Sequence, residues 1–327
     1  MNLLSAFLVA VLSFLIALPS VIFFSRYNKK HNIVGIDINK EKHVVLPESV
    51  GMALLVPIWT FIGAYSVIME YDFNLVMWGL VVTGFALIGL IDDFKHKFSG
   101  KARSWVFRAA AVAILCLFFS YFYFPKALPF GFIIVALYVA GLASFQNTFA
   151  GLNGWEVGSG FIISVFISAL LFIVGEPFLA SRFYLAVVLS ASIFALLIFN
   201  VYPAKVFPGN SGTLLIGSAI AGLMVISQNM EFIMVSFLFF LPHMIDFALK
   251  LFTNPHDMSQ QQIMPYRLNR GRIDFPKYPD GRKRYDFAKL LVRLFGPMKE
   301  KRIVTIIWII VSLNAALWLA VYILFFR

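Results

Sequence analysis

An all-α, polytopic membrane protein is the fold class that this 327-residue chain predicts. Hydrophobic residues make up 61% of it and charged residues 13%, and its mean hydropathy is +0.86. Apolar runs of roughly 18 or more residues, the length a helix needs to cross a bilayer, recur along the whole sequence. A transmembrane barrel would instead show short alternating segments. The single cysteine, Cys116, lies within an apolar run, so no disulfide framework exists and the thiol is expected to be inert packing.

Ten spans are expected, at roughly 3–24, 50–69, 75–91, 105–123, 128–146, 157–174, 183–199, 212–228, 232–251 and 303–325. The first has no basic leader and no obvious small-residue cleavage site, so it is expected to remain as a span. An even number of spans puts both termini on one side. Loops 25–49, 92–104, 147–156, 200–211 and 252–302 then share one face, and the short connectors near Glu70, Lys126, Glu176 and Glu231 share the other. Of 27 Lys and Arg, all but Lys126, Arg182 and Arg327 fall in or beside the first set. The positive-inside rule makes that face cytoplasmic and both termini external. The net charge of +11 therefore gathers at a membrane edge, where it suits membrane lipids with anionic headgroups, or an anionic soluble substrate, better than nucleic acid. Residues 1–327 read as one integral membrane domain whose longest loop is 252–302.

Polar chemistry concentrates in the loops of that one face. The first holds Gly35-Ile-Asp-Ile-Asn-Lys40 and Pro47-Glu48-Ser-Val-Gly51. Glu48 opens the second span, where a carboxylate either complements the positive helix end or serves a site. The third span ends in Asp92-Asp93. Adjacent carboxylates there mark either a solvated helix end balanced by Lys95 and Lys97, or a seat for a cation or a shared proton. Lys101, just beyond, is a candidate for neutralising phosphate. Between Asn147 and Gly160 stand two asparagines, a glutamate and four glycines, more than a helix connector requires. Small residues let backbone N–H groups approach a phosphate, and amides add neutral ligands.

The loop Asn200-Val-Tyr-Pro-Ala-Lys205-Val-Phe207-Pro-Gly209-Asn210-Ser-Gly212-Thr runs straight into the eighth span. Its amides from Gly209 to Thr213 are expected to form an anion site at a helix N-terminus. Phe207 is placed either to stack on a nucleobase or to face lipid. In the ninth span Asp246 and Lys250 form an i,i+4 pair with His243 on the same face. That pair either snorkels to the membrane edge or supplies a carboxylate to a site. In the last loop, Arg272-Ile-Asp-Phe275 reads as a short hairpin arm. Tyr285 to Phe295 reads as an amphipathic interfacial helix, with Phe287, Leu290, Leu291, Leu294 and Phe295 on one side and Lys289 and Arg293 elsewhere.

Together these segments resemble the polyprenyl-phosphate N-acetylhexosamine-1-phosphate transferases, the superfamily of dolichyl-phosphate GlcNAc-phosphotransferases and MurNAc-pentapeptide transferases. The likeness extends over nearly the whole chain. Asn147-Thr-Phe-Ala-Gly-Leu-Asn153-Gly-Trp-Glu156, with alanine where many bacterial members carry aspartate, looks like the eukaryotic and archaeal branch. The resemblance implies transfer of a sugar-1-phosphate, GlcNAc-1-phosphate foremost, from a UDP-sugar to polyprenyl or dolichyl phosphate, with release of UMP. It implies Mg²⁺ or Mn²⁺ as cofactor, and it leaves room for a homodimer. Asp92 and Asp93 match the catalytic acidic pair beside the acceptor phosphate, and Asn147 matches a metal ligand. Asn153 matches a uracil-recognising amide and Phe207 the ring stacked on uracil. Glu48, Lys101, Glu156 and Arg267 match substrate-binding positions.

Two departures stand out. Asn210 occupies the metal-binding position where the family reads Gly-Asp-Thr or Gly-Asp-Ser, and an amide brings no charge, so metal affinity should fall. The segment Gln260-Gln-Gln262-Ile-Met-Pro265-Tyr-Arg267-Leu-Asn269 keeps only the tail of a His- and Arg-rich family pattern. A non-catalytic lipid-phosphate or nucleotide-binding relative is one alternative. A transporter is another, disfavoured because the span interiors carry almost no charge.

Overall fold

A computed structural model describes residues 2–69, 71–98, 104–123, 131–253, 266–275 and 285–327, with the backbone alone at 95–98 and 104–108. Lys101 and the Gln260–Pro265 stretch lie outside the described residues. The long apolar runs form helices because a backbone in hydrocarbon must satisfy every N–H and C=O internally. They are α1 (Leu3–Lys30), α2 (Leu55–Ile68), α3 (Phe73–Phe98), α4 (Ser104–Tyr123), α5 (Gly131–Thr148), α6 (Trp155–Val174), α7 (Ala180–Asn200) and α8 (Gly209–Ile226). Then follow α9 (Met230–Phe239), α10 (Leu241–Thr253), α11 (Phe287–Phe295) and α12 (Glu300–Phe326).

Among the described residues, eight helical segments are long and apolar enough to cross a membrane. The protein is an all-α integral membrane protein. The expected ninth span is not one rod: α9 and α10 meet at an angle of 56° around Phe240 and count as one span only if taken together. The apolar part of α4 is shorter, Ala109–Tyr123. The second span also departs from expectation, because a 3₁₀ turn, Val50–Leu54, precedes α2. Glu48 therefore stands outside the helix and does not cap it.

Helix α8 is the post around which the others pack. Every residue from Ser211 to Ile226 is buried. Its sequence alternates small residues (Gly212, Gly217, Ser218, Ala219, Ala221, Gly222) with Leu and Ile, and small residues let membrane helices approach closely. Trp78 of α3 lies against Gly222 and donates its indole N–H to the Ala219 carbonyl at 2.9 Å. Outer helices α1 and α12 expose Leu and Phe side chains, as lipid contact requires.

Two antiparallel hairpins sit at one end of the bundle. Strand β1 (Val34–Asp37) pairs with β2 (Val44–Pro47), Val34 facing Pro47 and Asp37 facing Val44. Strand β3 (Arg267–Asn269) pairs with β4 (Arg272–Asp274) through an Arg270-Gly271 turn, so the expected arm is present. The amphipathic helix α11 is present too, with Phe287 and Leu291 buried and Arg293 exposed, but three positions depart from the expected sides. Lys289 is buried, 1% exposed, and pairs with Asp286 at 2.9 Å, while Leu294 and Phe295 are exposed. The Asp286 side chain caps α11, and its charge draws Lys289 inward.

Candidate functional site

The C-terminal end of α3 abuts the N-terminus of α8, and the Asp92-Asp93 pair lies in that junction. Asp93, 5% exposed, accepts the Ser49 hydroxyl at 2.7 Å and the backbone N–H groups of Asn210 at 2.9 Å and Ser211 at 3.3 Å. Its carboxylate thus caps α8 from another helix, satisfying orphan donors and complementing the positive helix end. The Gly212 N–H turns back to the Pro208 carbonyl at 3.2 Å. The open anion site expected from Gly209 to Thr213 is therefore already taken by the protein's own carboxylate. Gly209 makes the approach possible. Its φ is +70°, and a Cβ there would lie 2.5 Å from Asp93 Oδ2 and 2.8 Å from Ser49 Cα.

Asp92, 3% exposed, has a different neighbour. The Asn210 side chain donates from Nδ2 to Asp92 Oδ2 at 3.1 Å. One turn along α8, the Thr213 hydroxyl donates to Asn147 Oδ1 at the end of α5. Asp92, Asp93, Asn147 and Asn210 are thus drawn together by the first turn of α8. Among the described residues, no three or more His, Cys, Asp or Glu side chains gather as a metal site. A cation here would meet the Asp92 carboxylate and two amide oxygens, since Asp93 is engaged as a cap. That all-oxygen set fits Mg²⁺ or Mn²⁺, because Mg²⁺ is commonly bound through one or two carboxylates and completed by water and substrate phosphates.

The other recognised residues line strand β1. Residues two apart on a strand share a face, with about 6.6 Å of strand between them. A Cβ at Gly35 would touch the Phe207 ring at 3.1 Å and the Glu48 carboxyl at 3.2 Å. Two residues on, Asp37 Oδ2 accepts Asn153 Nδ2 at 3.0 Å. Phe207 is held by backbone bonds: its N–H donates to Pro47 O at 2.8 Å, and its carbonyl accepts Val50 N at 3.1 Å. Asn28 Nδ2 fixes the Glu48 carbonyl at 2.7 Å. Phe207 is half-buried.

Two expected site residues lie apart from these groups. Glu156, in the first turn of α6, feels Lys250 and Glu300, and its Oε2 makes no hydrogen bond among the described residues. Arg267 is exposed on β3. Asp246 does not supply a carboxylate to the site. Fully buried, it accepts Phe287 N at 2.7 Å and pairs with Lys250 at 2.7 Å. Lys250 does not snorkel; it donates to the Thr148 carbonyl at the end of α5, next to Asn147.

Several residues that shape the site were not singled out from sequence. Ser49 anchors Asp93, and Thr213 holds Asn147. Buried Asn200 accepts Gly154 N at 3.2 Å and donates to Val206 O at 3.0 Å, joining the Asn147–Gly160 stretch to the Phe207 loop. Only Asn200 left a trace, as an amide closing an otherwise apolar span.

The sequence profile of glycosyl transferase family 4 matches residues 75–228. A Methanocaldococcus jannaschii protein bearing a glycosyltransferase name is 31% identical over 281 residues, which cover 84% of this chain and 83% of its own. Two other archaeal relatives are named UDP-N-acetylglucosamine–dolichyl-phosphate N-acetylglucosaminephosphotransferase. That of Saccharolobus solfataricus is 28% identical over 94% of both chains. That of Sulfolobus acidocaldarius is 28% identical over 97% of this chain and 96% of its own. With its acidic pair, asparagines and Phe207 loop gathered at one end of a helical membrane bundle, the chain belongs to glycosyl transferase family 4.

Proposed function

We propose that this protein transfers a sugar-1-phosphate, GlcNAc-1-phosphate first among candidates, from a UDP-sugar to a polyprenyl or dolichyl phosphate. The observation that carries this reading is the junction of α3 and α8. It sets Asp92 beside Asn210 and, through Thr213, Asn147, at the same bundle end as the β1 track bearing Phe207 and Asn153. A membrane-edge acidic site at the same bundle end as an aromatic ring and a buried amide suits one lipid substrate and one nucleotide substrate. By the charge distribution of the loops that end faces the cytoplasm, where soluble UDP-sugars are met.

The reaction is an in-line displacement. An acceptor phosphate oxygen bonds to the sugar-bearing phosphorus, the bond from that phosphorus to the bridging oxygen breaks, and UMP leaves with the bridging oxygen. A phosphate monoester is already nucleophilic near neutral pH, so Asp92 needs only to take its residual proton. Asp93 positions the Asn210 turn. Phe207 and Asn153 hold the uracil, and Glu48 lies with Phe207 against Gly35. Asp92, Asn147 and Asn210 would hold Mg²⁺ or Mn²⁺, which when bound offsets charge developing on the phosphates.

Purified protein given labelled UDP-GlcNAc and polyprenyl phosphate in detergent should release UMP and form a chloroform-soluble labelled sugar. Nucleotide or lipid-phosphate binding without turnover would instead support a non-catalytic relative.

A further inference from the structure

Asn153 is gripped by two carboxylates that share one lysine. Its backbone N–H donates to Glu300 Oε1 at 2.9 Å, and its Nδ2 donates to Asp37 Oδ2 at 3.0 Å. Lys40 Nζ reaches Asp37 Oδ2 at 3.1 Å and also pairs with Glu300 Oε2. Asp37, Asn153 and Glu300 are all buried. Two buried carboxylates in such proximity need a cation between them, and Lys40 is that cation. The latch joins strand β1, the 147–154 stretch and the first residue of α12. Asp37, Lys40 and Glu300, though not Asn153, line a cleft of about 610 Å³ together with Tyr202 and Lys301.

The latch fixes more than position. An ionised carboxylate accepts hydrogen bonds and donates none, so the end of the Asn153 amide that faces Asp37 is the NH₂. Oδ1 is the end left over, and it accepts no hydrogen bond among the described residues. An asparagine free to turn over can offer either a donor or an acceptor. This one is held with Oδ1 in a fixed place and one of its two amide hydrogens spent on Asp37, and reversing it would set an oxygen against the Asp37 carboxylate.

We propose that Asp37, backed by Lys40 and Glu300, is a positioning residue that fixes which way the Asn153 amide faces, so that Oδ1 is the atom presented to N3 of the base. The site thereby selects a pyrimidine carrying N–H at ring position 3, as uracil does, over cytosine, whose N3 is a lone pair. The inference rests on the assignment of Asn153 to the base in the function proposed above. Stacking on Phe207 does not discriminate, because every pyrimidine has a face to offer. The choice falls to the amide, where a mismatched polar pair costs about tenfold or more in affinity.

The test is direct binding of UMP and CMP to the full-length protein in detergent, by calorimetry, which does not depend on turnover. Wild type should prefer UMP by at least about tenfold, and Asp37→Asn should shrink that preference to below about threefold. Glu300→Gln leaves the Nδ2 contact in place, so it should weaken both nucleotides alike and preserve the ratio. Asn153→Ala should abolish the preference, and adding Asp37→Asn to it should change nothing further, as a shared pathway requires. Asp37→Ser, which can donate or accept, replaces Asp37→Asn if the latter does not fold. An Asp37 variant that keeps the wild-type ratio overturns the latch. A wild type without preference for UMP overturns the uridine-nucleotide reading itself, and the latch with it.

Discussion

Asp92 and Asp93 are adjacent in sequence but have different partners, so their substitution should separate stability from turnover. Asp93→Ala removes an acceptor for the Ser49 hydroxyl and for the N–H groups of Asn210 and Ser211. Loss of a helix cap costs about 0.5–2 kcal/mol. The Ser211 N–H is fully buried, and stranding it adds about 1–3 kcal/mol. The sum, about 1.5–5 kcal/mol, corresponds to a fall of roughly 2–7 °C in Tm for a chain of this size. Asp92→Asn keeps an oxygen for Asn210 Nδ2 to meet, so Tm should move by less than about 2 °C. Its turnover should nonetheless fall about 100-fold or more, the scale on which a positioned proton acceptor works. Asp93→Asn should fall between, because an amide oxygen still accepts one helix N–H. Cys116, the sole thiol and fully buried, gives the unfolding readout through a thiol-reactive fluorophore, and UMP release gives turnover. Wild-type turnover in Asp92→Asn, or an unshifted Tm in Asp93→Ala, would refute this division of labour.

Three further outcomes are expected. Asn210→Asp sets a carboxylate where an amide now donates to Asp92 at 3.1 Å, so Mg²⁺ should raise the variant's Tm more than the wild type's. The Mg²⁺ concentration for half-maximal turnover should fall by about tenfold, without loss of activity, since a carboxylate adds charge to the set. Phe207→Ala should raise KM for the UDP-sugar by about 5- to 150-fold, the equivalent of about 1–3 kcal/mol of stacking, with a smaller change in kcat. Lys250→Met strands the buried Asp246 carboxylate and should cost about 3–5 kcal/mol, read as a lowered Tm. Adding Asp246→Asn should recover part of that loss, because no buried charge then remains unpaired.

The helices were legible in the sequence because a bilayer imposes one requirement, satisfied backbone within an apolar run, and that requirement is local. The break at Phe240 has a local signal: Pro242, the second residue of α10, has no N–H to give the Leu238 carbonyl, which Asn314 Nδ2 takes instead at 2.9 Å. Helix α11 departs from its period at Lys289, which looks solvent-facing but is drawn inward by Asp286 three residues before it. Of the site, residue types and order were readable, but partners were not. Nothing in Gly35-Ile-Asp-Ile-Asn-Lys40 announces that Asp37 and Lys40 meet a glutamate 260 positions beyond the lysine.

Asn210 is the residue whose reading changes most. By resemblance it is a weakened metal ligand, an amide in an aspartate's place. In the fold it also has a task that an aspartate cannot perform, because its Nδ2 donates to Asp92. Two carboxylates at that separation would repel unless a cation stood between them. With asparagine, Asp93 is held by helix amides and Asp92 by a side-chain amide, so the first turn of α8 is internally matched before any cation or phosphate arrives. The charge needed for phosphoryl transfer then comes with the diphosphate donor and its cation. That is the reason the Asn210→Asp exchange should alter metal dependence more than it alters the reaction.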